Sequence, residues 1–209
     1  MADFSLENEE RARAGRPLVI AGVDEVGRGP WAGPVIATAV VPGPDFESAG
    51  ITDSKKLSPQ KRDTLAARIR QQAAVGLGHA SVEEIDTLNI LQATFLAMRR
   101  AVEALPVAPD LALVDGNKDP GLPCRVRTVV KGDHISTSIA AASIVAKVER
   151  DTLMAELARD FAGYGWERNK GYGTREHIDG LEAHGVTPHH RRSFAPIHKM
   201  LSEDSALTY

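Results

Sequence analysis

Asp24, Glu25, Asp115 and Asp133 are the side chains of this 209-residue sequence best placed to do chemistry. Leu18 to Val23 is a short apolar run ending at Asp24, Leu111 to Val114 is another ending at Asp115, and Arg125 to Val130 leads through Lys131 and Gly132 to Asp133. Such runs predict buried strands, and the carboxyl ends of strands are where open α/β sheets build their sites. If the three strands are neighbours, their aspartates converge, with Glu25 as a fourth acid. Like charges that close repel unless they are protonated or hold cations. Carboxylate oxygens are hard donors suited to Mg²⁺ or Mn²⁺, and no cysteine pair or HExxH sequence offers zinc a site. Two divalent ions about 3.5 to 4 Å apart form the clamp with which nucleases and polymerases handle phosphodiesters.

Alternation along a strand sends Asp24 and Glu25 to opposite faces, so this reading requires the backbone to leave the strand at about Glu25. Gly27 and Gly29 permit that departure. Spacing alone fits a second reading equally well, with Asp24-Glu25 and Asp115-Gly116 as turn openings and Asp133 as a cap for a helix starting near Ser136. His134, His177, His184, His189, His190 and His198 form no pair with strong metal-ligand spacing, and packing or surface roles are expected for most of them. His134, beside Asp133, is the one whose position bears on a metal site.

The elements that must position these residues follow from periodicity and punctuation. Leu18 to Val23 and Val35 to Val41, separated by the Gly- and Pro-rich GRGPWAGP, predict a long hairpin. Ser58-Pro59 opens a helix to about Gln72, and Ala74 to Ala80 is a third strand. Ser81 and Glu84 have capping-box spacing ahead of Ile85, Leu88, Leu91, Phe95, Met98 and Val102, which predicts one helix to Leu105. A long helix is expected from Ser136 or Thr137 to about Phe161, another from Thr174 to His184, and a further start at Thr187-Pro188. Strands first, then helices alternating with strands, imply an α/β sheet with a helical C-terminal extension. A tail over 1–17, one catalytic domain over 18–201 and a tail over 202–209 are the expected boundaries.

Composition limits the rest. The hydrophobic fraction of 43% is ordinary for a globular chain, and no apolar stretch approaches the roughly 20 residues of a membrane-spanning helix. The acidic N-terminus lacks the pattern of a secretory signal, and a lone Cys124 fits a reducing compartment, so a cytoplasmic location is expected. Net charge is −3, yet it is unevenly spread: residues 1–124 carry 13 basic and 17 acidic side chains, and residues 125–200 carry 12 and 9. A more acidic half suits cations and a more basic half suits a polyanion.

Seven blocks, AGVDEVGRGPWAGPV, DSKKLS, LNILQATFLAM, LVDGN, VVKGDHISTSIAAASIVAKVERD, KGYGT and HHRRSF, together resemble bacterial ribonuclease HII in order and spacing, from about Leu18 to Phe194. The resemblance implies a ribonuclease H-like fold, a mixed five-stranded sheet flanked by helices. It implies that Asp24, Glu25, Asp115 and Asp133 hold two Mg²⁺ or Mn²⁺ ions, and that Gly27, Arg28 and Gly29 contact the 2′-hydroxyl and backbone where a ribonucleotide meets DNA. Tyr172 would lie against the sugar on the DNA side, and Lys55, Lys56, Ser143 and Lys147 fall at phosphate-contacting positions, with Lys170 near enough to consider.

The implied partners are RNA/DNA hybrids and DNA duplexes containing ribonucleotides, with no membrane, no known protein partner and a monomeric enzyme. The implied reaction is hydrolysis 5′ to a ribonucleotide, leaving a 3′-hydroxyl and a 5′-phosphate, in ribonucleotide removal and RNA-primer clearance. Two rival readings differ in class or kin. A ribonuclease HIII would carry an additional N-terminal domain, whereas 17 residues precede the first expected strand here. A binding module that had lost catalysis would lack acids, and all four are present.

Overall fold

The computed structural model describes residues 2–206. A five-stranded sheet is built from β1 (Ile20–Val26), β2 (Val35–Pro42), β3 (Ala73–Ala80), β4 (Leu111–Asp115) and β5 (Arg125–Val129), in the order β3-β2-β1-β4-β5. β1 pairs antiparallel with β2, closing the hairpin expected from the sequence, and parallel with β4, which in turn pairs parallel with β5. This mixed sheet puts the ends of β1 and β4 side by side, since their pairing stops at Val23 against Val114 and the next residues are Asp24 and Asp115.

Among the described residues eight α-helices accompany the sheet: α1 (Ser5–Ala14), α2 (Pro59–Gln72), α3 (Val82–Leu88), α4 (Ile90–Glu103), α5 (Thr137–Asp160), α6 (Trp166–Asn169), α7 (Arg175–His184) and α8 (Ala195–Ala206). The chain forms two compact units. The first holds Met1–Val26, Ile36–His79 and Thr94–Glu149, and the second Gly27–Val35, Ala80–Ala93 and Arg150–Tyr209.

In the first unit the central strands are buried along almost their whole length, as strands covered on both faces must be. The first turns of α5 explain one cover. Ile139 to Ala146 are all but inaccessible, so this end of the helix is apolar all round and lies inside the unit. It approaches β1 at Gly22, where a Cβ would stand 2.1 Å from the carbonyl carbon of Ser138. Any side chain at Gly22 would push α5 off the sheet. Two apolar clusters fill the unit, one around Ile51, Leu65, Ile69 and Ile144, the other around Leu18, Ile20, Leu111, Leu113 and Ile139. Each fully buried Leu or Ile of this kind contributes about 1.5–3 kcal/mol. The second unit is centred on Ala32, Met154, Tyr164, Trp166, Leu181 and Ile197.

Several expectations are corrected. The first 17 residues contain α1, with Leu6, Glu7 and Glu10 buried. Glu7 Oε1 accepts from the Ser136 hydroxyl at 2.7 Å, the Ser138 N–H at 3.0 Å and the Ser138 hydroxyl at 2.6 Å. A carboxylate from a distant segment thus caps the start of α5, where backbone donors lack partners and the helix dipole favours negative charge. At the other end, α8 continues to Ala206 through part of the expected 202–209 tail; residues 207–209 lie outside the described residues.

The single helix expected from Ser81 to Leu105 is two. Its capping box is present, but Asn89 adopts φ 69°, and its side-chain oxygen accepts from the N–H groups of Leu91 and Gln92, ending α3 and starting α4 in one residue. Asn is among the few residues that tolerate this conformation and cap a helix as well. Thr187-Pro188 opens a turn, and no helix starts there: the Thr187 N–H and hydroxyl both meet His190 Nδ1 at 2.9 Å.

Candidate active site

Asp24 sits within β1, cross-strand from Thr38, with its side chain buried. Pairing continues regularly through Glu25 and Val26, so the backbone leaves the strand two residues later than the sequence required, at Gly27 with φ 95°. Glu25 is half-buried and close enough to act on its neighbour. Burial, then the Glu25 and Asp115 carboxylates, push the Asp24 carboxyl well above the usual carboxylate range, against the opposing pull of the Glu25 N–H and the Ser143 hydroxyl. The Glu25 N–H donates to Asp24 Oδ1 at 2.8 Å.

Asp115 ends β4, and Lys131, with φ 57°, turns the chain so that the Gly132 N–H donates to Asp115 Oδ1 at 2.6 Å. Asp133 follows in a single turn of 3-10 helix. Burial raises the Asp115 pKa; the Gly132 N–H lowers it, Asp133 raises it, and the Gly116 N–H and Lys55 lower it. Electrostatic interaction couples Asp24 to Glu25 and Asp115, and Asp115 to Asp133.

Among the described residues, Asp53, Asp133 and His134 are the group whose ligand atoms all lie within 4.8 Å of one another. His134 Nε2 is 3.8 Å from Asp133 Oδ1 and 3.9 Å from Asp53 Oδ2. Of the four predicted acids, Asp133 belongs to this group. Asp53 was not selected from the sequence. It is buried, its Oδ1 accepts from the Lys55 N–H at 2.9 Å, and its one sequence signal is its place at the head of the DSKKLS block.

The other predicted residues divide. Lys55 and Lys56 are exposed on a turn of 3-10 helix, and Lys55 acts on Asp115. Lys147 is half-buried on α5, one turn beyond Ser143. Ser143 is 9% exposed, bonded to the Ser54 hydroxyl at 2.9 Å and turned to Asp24. Its hydroxyl thus lies between the DSKKLS block and the Asp24 carboxyl. Lys170 Nζ donates to the carbonyls of Glu167 at 2.8 Å and Asp151 at 3.3 Å, which fixes it as a local brace.

The second unit brings Gly29 and Tyr172 together: a Cβ on Gly29 would be 3.3 Å from Tyr172 Cε1, and Tyr172 is half exposed. Behind them lie two side chains that sequence reasoning passed over, Arg150 and Arg191, both fully buried. Arg150 donates through Nε, Nη1 and Nη2 to the carbonyls of Pro34, Lys170 and Ala32 at 3.0, 2.9 and 2.9 Å. Arg191 does the same to Gly33, Arg28 and Gly27 at 2.9, 3.0 and 2.5 Å. In sequence both look like solvated charges, the usual state of arginine.

Residues 21–197 match the family profile described as Ribonuclease HII. The chain belongs to the ribonuclease HII family. Ribonuclease HII of Jannaschia sp. (strain CCS1) is 60% identical over 200 residues, covering 95% of this chain and 98% of the relative. That of Paramagnetospirillum magneticum is 60% identical over 201 residues, covering 94% and 97%. Among solved structures, the ribonuclease H2 of Pyrococcus horikoshii OT3 matches with a TM-score of 0.75 and 26% identity, over 88% of this chain and 97% of that one. The ribonuclease H-like fold and the family's activity, endonucleolytic hydrolysis of RNA strands, thus apply to this chain. No helix among the described residues is long and apolar enough to cross a membrane.

Proposed function

We propose that this ribonuclease H hydrolyses the RNA strand of RNA/DNA hybrids and nicks DNA 5′ to single embedded ribonucleotides, using Asp24, Glu25, Asp115 and Asp133 to hold two divalent cations. The observation that carries the reading is the Asp24 carboxyl, buried and raised by the adjoining Glu25 and Asp115 carboxylates. A site that strains to ionise its acids is one that a cation would relieve, and an all-oxygen donor set suits Mg²⁺ or Mn²⁺. When bound, such a pair supplies a water of lowered pKa and charge stabilisation at the leaving 3′ oxygen.

The protein's own groups do the rest. Ser143 and the Glu25 N–H hold the Asp24 carboxylate in one orientation, and the Gly132 N–H does so for Asp115. Lys55, Lys56 and Lys147 are cations suited to backbone phosphates, which position a duplex without reading its sequence. Gly27, Arg28, Gly29 and Tyr172 would read the junction, because the 2′-hydroxyl is the local feature that separates a ribonucleotide from its deoxy neighbours. We place the enzyme in the cytoplasm as a monomer, in ribonucleotide removal and RNA-primer clearance.

A DNA duplex carrying one ribonucleotide tests this directly. Nicking on its 5′ side with Mg²⁺ or Mn²⁺, giving 3′-hydroxyl and 5′-phosphate ends and abolished by Asp24→Asn, is the expected result. Cutting only within long RNA tracts would remove the junction role, and persistence of nicking in Asp24→Asn would remove the metal role.

A further inference from the structure

The buried guanidiniums of Arg150 and Arg191 face a loop whose peptide groups they orient. In a planar trans peptide, the C=O of one residue and the N–H of the next point in opposite directions. Arg191 takes the carbonyls of Gly27 and Arg28, so the N–H groups of Arg28 and Gly29 are directed away from it. Arg150 and the Nε of Arg191 take the carbonyls of Ala32, Gly33 and Pro34, fixing the far end of the same loop.

We propose that Arg191, assisted by Arg150, is the positioning residue that aims the Arg28 and Gly29 backbone amides at the 2′-hydroxyl and adjoining phosphate of the ribonucleotide. The inference rests on the reading above that the Gly27–Gly29 segment contacts the junction. A guanidinium fork suits the task because its donors are coplanar and rigidly spaced, which an ammonium cannot imitate. Its charge also polarises the peptides it holds, making their outward N–H groups stronger donors, as at a helix N-terminus.

Two further features favour orientation over simple packing. Burial pulls the Arg150 guanidinium down to about 10 and, with repulsion from Arg150, Arg191 to about 9; both remain charged at neutral pH. Keeping two buried like charges there opposes folding, and well-packed apolar side chains would commonly hold a loop as stably. The segment after Arg191 is itself pinned: Asp86 accepts from the N–H groups of Arg192 at 3.0 Å and Ser193 at 2.9 Å, and from the Ser193 hydroxyl at 2.6 Å. The Arg191 N–H donates to the Trp31 carbonyl at 2.8 Å.

The test compares Arg191→Lys, Asp86→Ala and Gly29→Ala by three measurements: kcat/KM on a duplex with one ribonucleotide, Kd for the same duplex in all-DNA form, and the thermal unfolding midpoint. Arg191→Lys is expected to lower kcat/KM about 10- to 100-fold, the scale of a small misplacement of a contacting group. The all-DNA Kd should stay at the wild-type value. Asp86→Ala, a change on a partly exposed side chain, should give a smaller loss of the same selective kind, and it decides the matter if Arg191→Lys does not fold.

Wild-type kcat/KM in the folded variants, or equal weakening toward both duplexes, would overturn the positioning role. Gly29→Ala tests the underlying reading, because its Cβ would stand 3.3 Å from Tyr172 Cε1, within the surface proposed to contact the junction. If that variant keeps the ribonucleotide preference, the junction contact is wrong; if it loses the preference while Arg191→Lys keeps it, only the role of Arg191 fails.

Discussion

The side chain of Arg150 occupies the space that a Cβ on Gly27 would need: the Nε atom would be 2.2 Å away. Gly27 also has φ 95°, a conformation that side-chain-bearing residues rarely adopt. Gly27→Ala is therefore expected to lose about 1–3 kcal/mol of stability from backbone strain alone. Displacement of Arg150 would add to that and release its carbonyls. Urea unfolding of the variant measures the first effect, and its nicking rate on a single-ribonucleotide duplex, expected to fall at least about tenfold, measures the second.

Asp24→Asn should separate stability from activity. The wild-type carboxyl is pushed up by burial and by Glu25 and Asp115, so its ionised form opposes folding. For an acid whose folded pKa exceeds its unfolded value, the favourable contribution is present below the unfolded value and is lost as pH rises through the folded one. At neutral pH without divalent metal, Asp24→Asn should unfold at a higher temperature than wild type, by about 1 kcal/mol in equivalent stability. Nicking should disappear. The same titration predicts that Mg²⁺ stabilises the wild type less as pH falls, because protons and cations compete for Asp24 and Asp115; a Mg²⁺-induced rise in midpoint that is independent of pH between 5 and 8 would contradict this.

The strands were legible because apolar runs bounded by Gly and Asp carry a strong signal, and their pairing sets Asp24 and Asp115 just beyond Val23 and Val114 on adjacent strands. The departure comes at Gly27, two residues later than expected, because Glu25 and Val26 still pair with Ala37 and Ile36. Asn89 hid inside a continuous apolar period that its conformation interrupts. Arg150, Arg191, Asp53 and the docking of α1 were illegible for one reason: each buries a charge, and a charge in sequence reads as solvated until its partners are known. Glu7 finds those partners at Ser136 and Ser138, about 130 residues away along the chain.

Removing the cap on α5 tests that docking. Glu7→Ala leaves the Ser138 N–H and one of the two mutually bonded hydroxyls of Ser136 and Ser138 buried without an acceptor, and should lower stability by about 1–3 kcal/mol. Catalysis at a temperature well below the midpoint should be retained, since Glu7 touches none of the proposed metal-binding acids in the hydrogen bonds described. Urea unfolding with unchanged m-value would identify a loss of stability, whereas an unchanged midpoint would show that α1 contributes nothing to the fold.

His177 and His190 predict the acid limit of the second unit. Trp166 Nε1–H donates to His177 Nε2 at 3.1 Å, and His190 Nε2 lies 3.0 Å from the same atom. The Thr187 N–H donates to His190 Nδ1, so His190 carries its proton on Nε2 and donates to His177. His177 then donates through Nδ1 to the Tyr172 carbonyl at 3.0 Å, and both rings are neutral. A proton on His177 Nε2 would face two N–H groups that point at it. Burial, then the neighbouring His177, lower the His190 pKa to about 3, and burial lowers that of His177. For a histidine depressed on folding, the unfolded chain binds the proton first, so stability is complete above about 6.5 and declines as pH falls toward 3. The unfolding midpoint should therefore drop steadily between pH 6.5 and 4, and His190→Gln, less stable at pH 7.5, should show a shallower slope. Because His177 holds the Tyr172 carbonyl, single-ribonucleotide nicking at the acid end should fail through Tyr172 before the all-DNA duplex ceases to bind; parallel loss of both would assign the acid limit to another group.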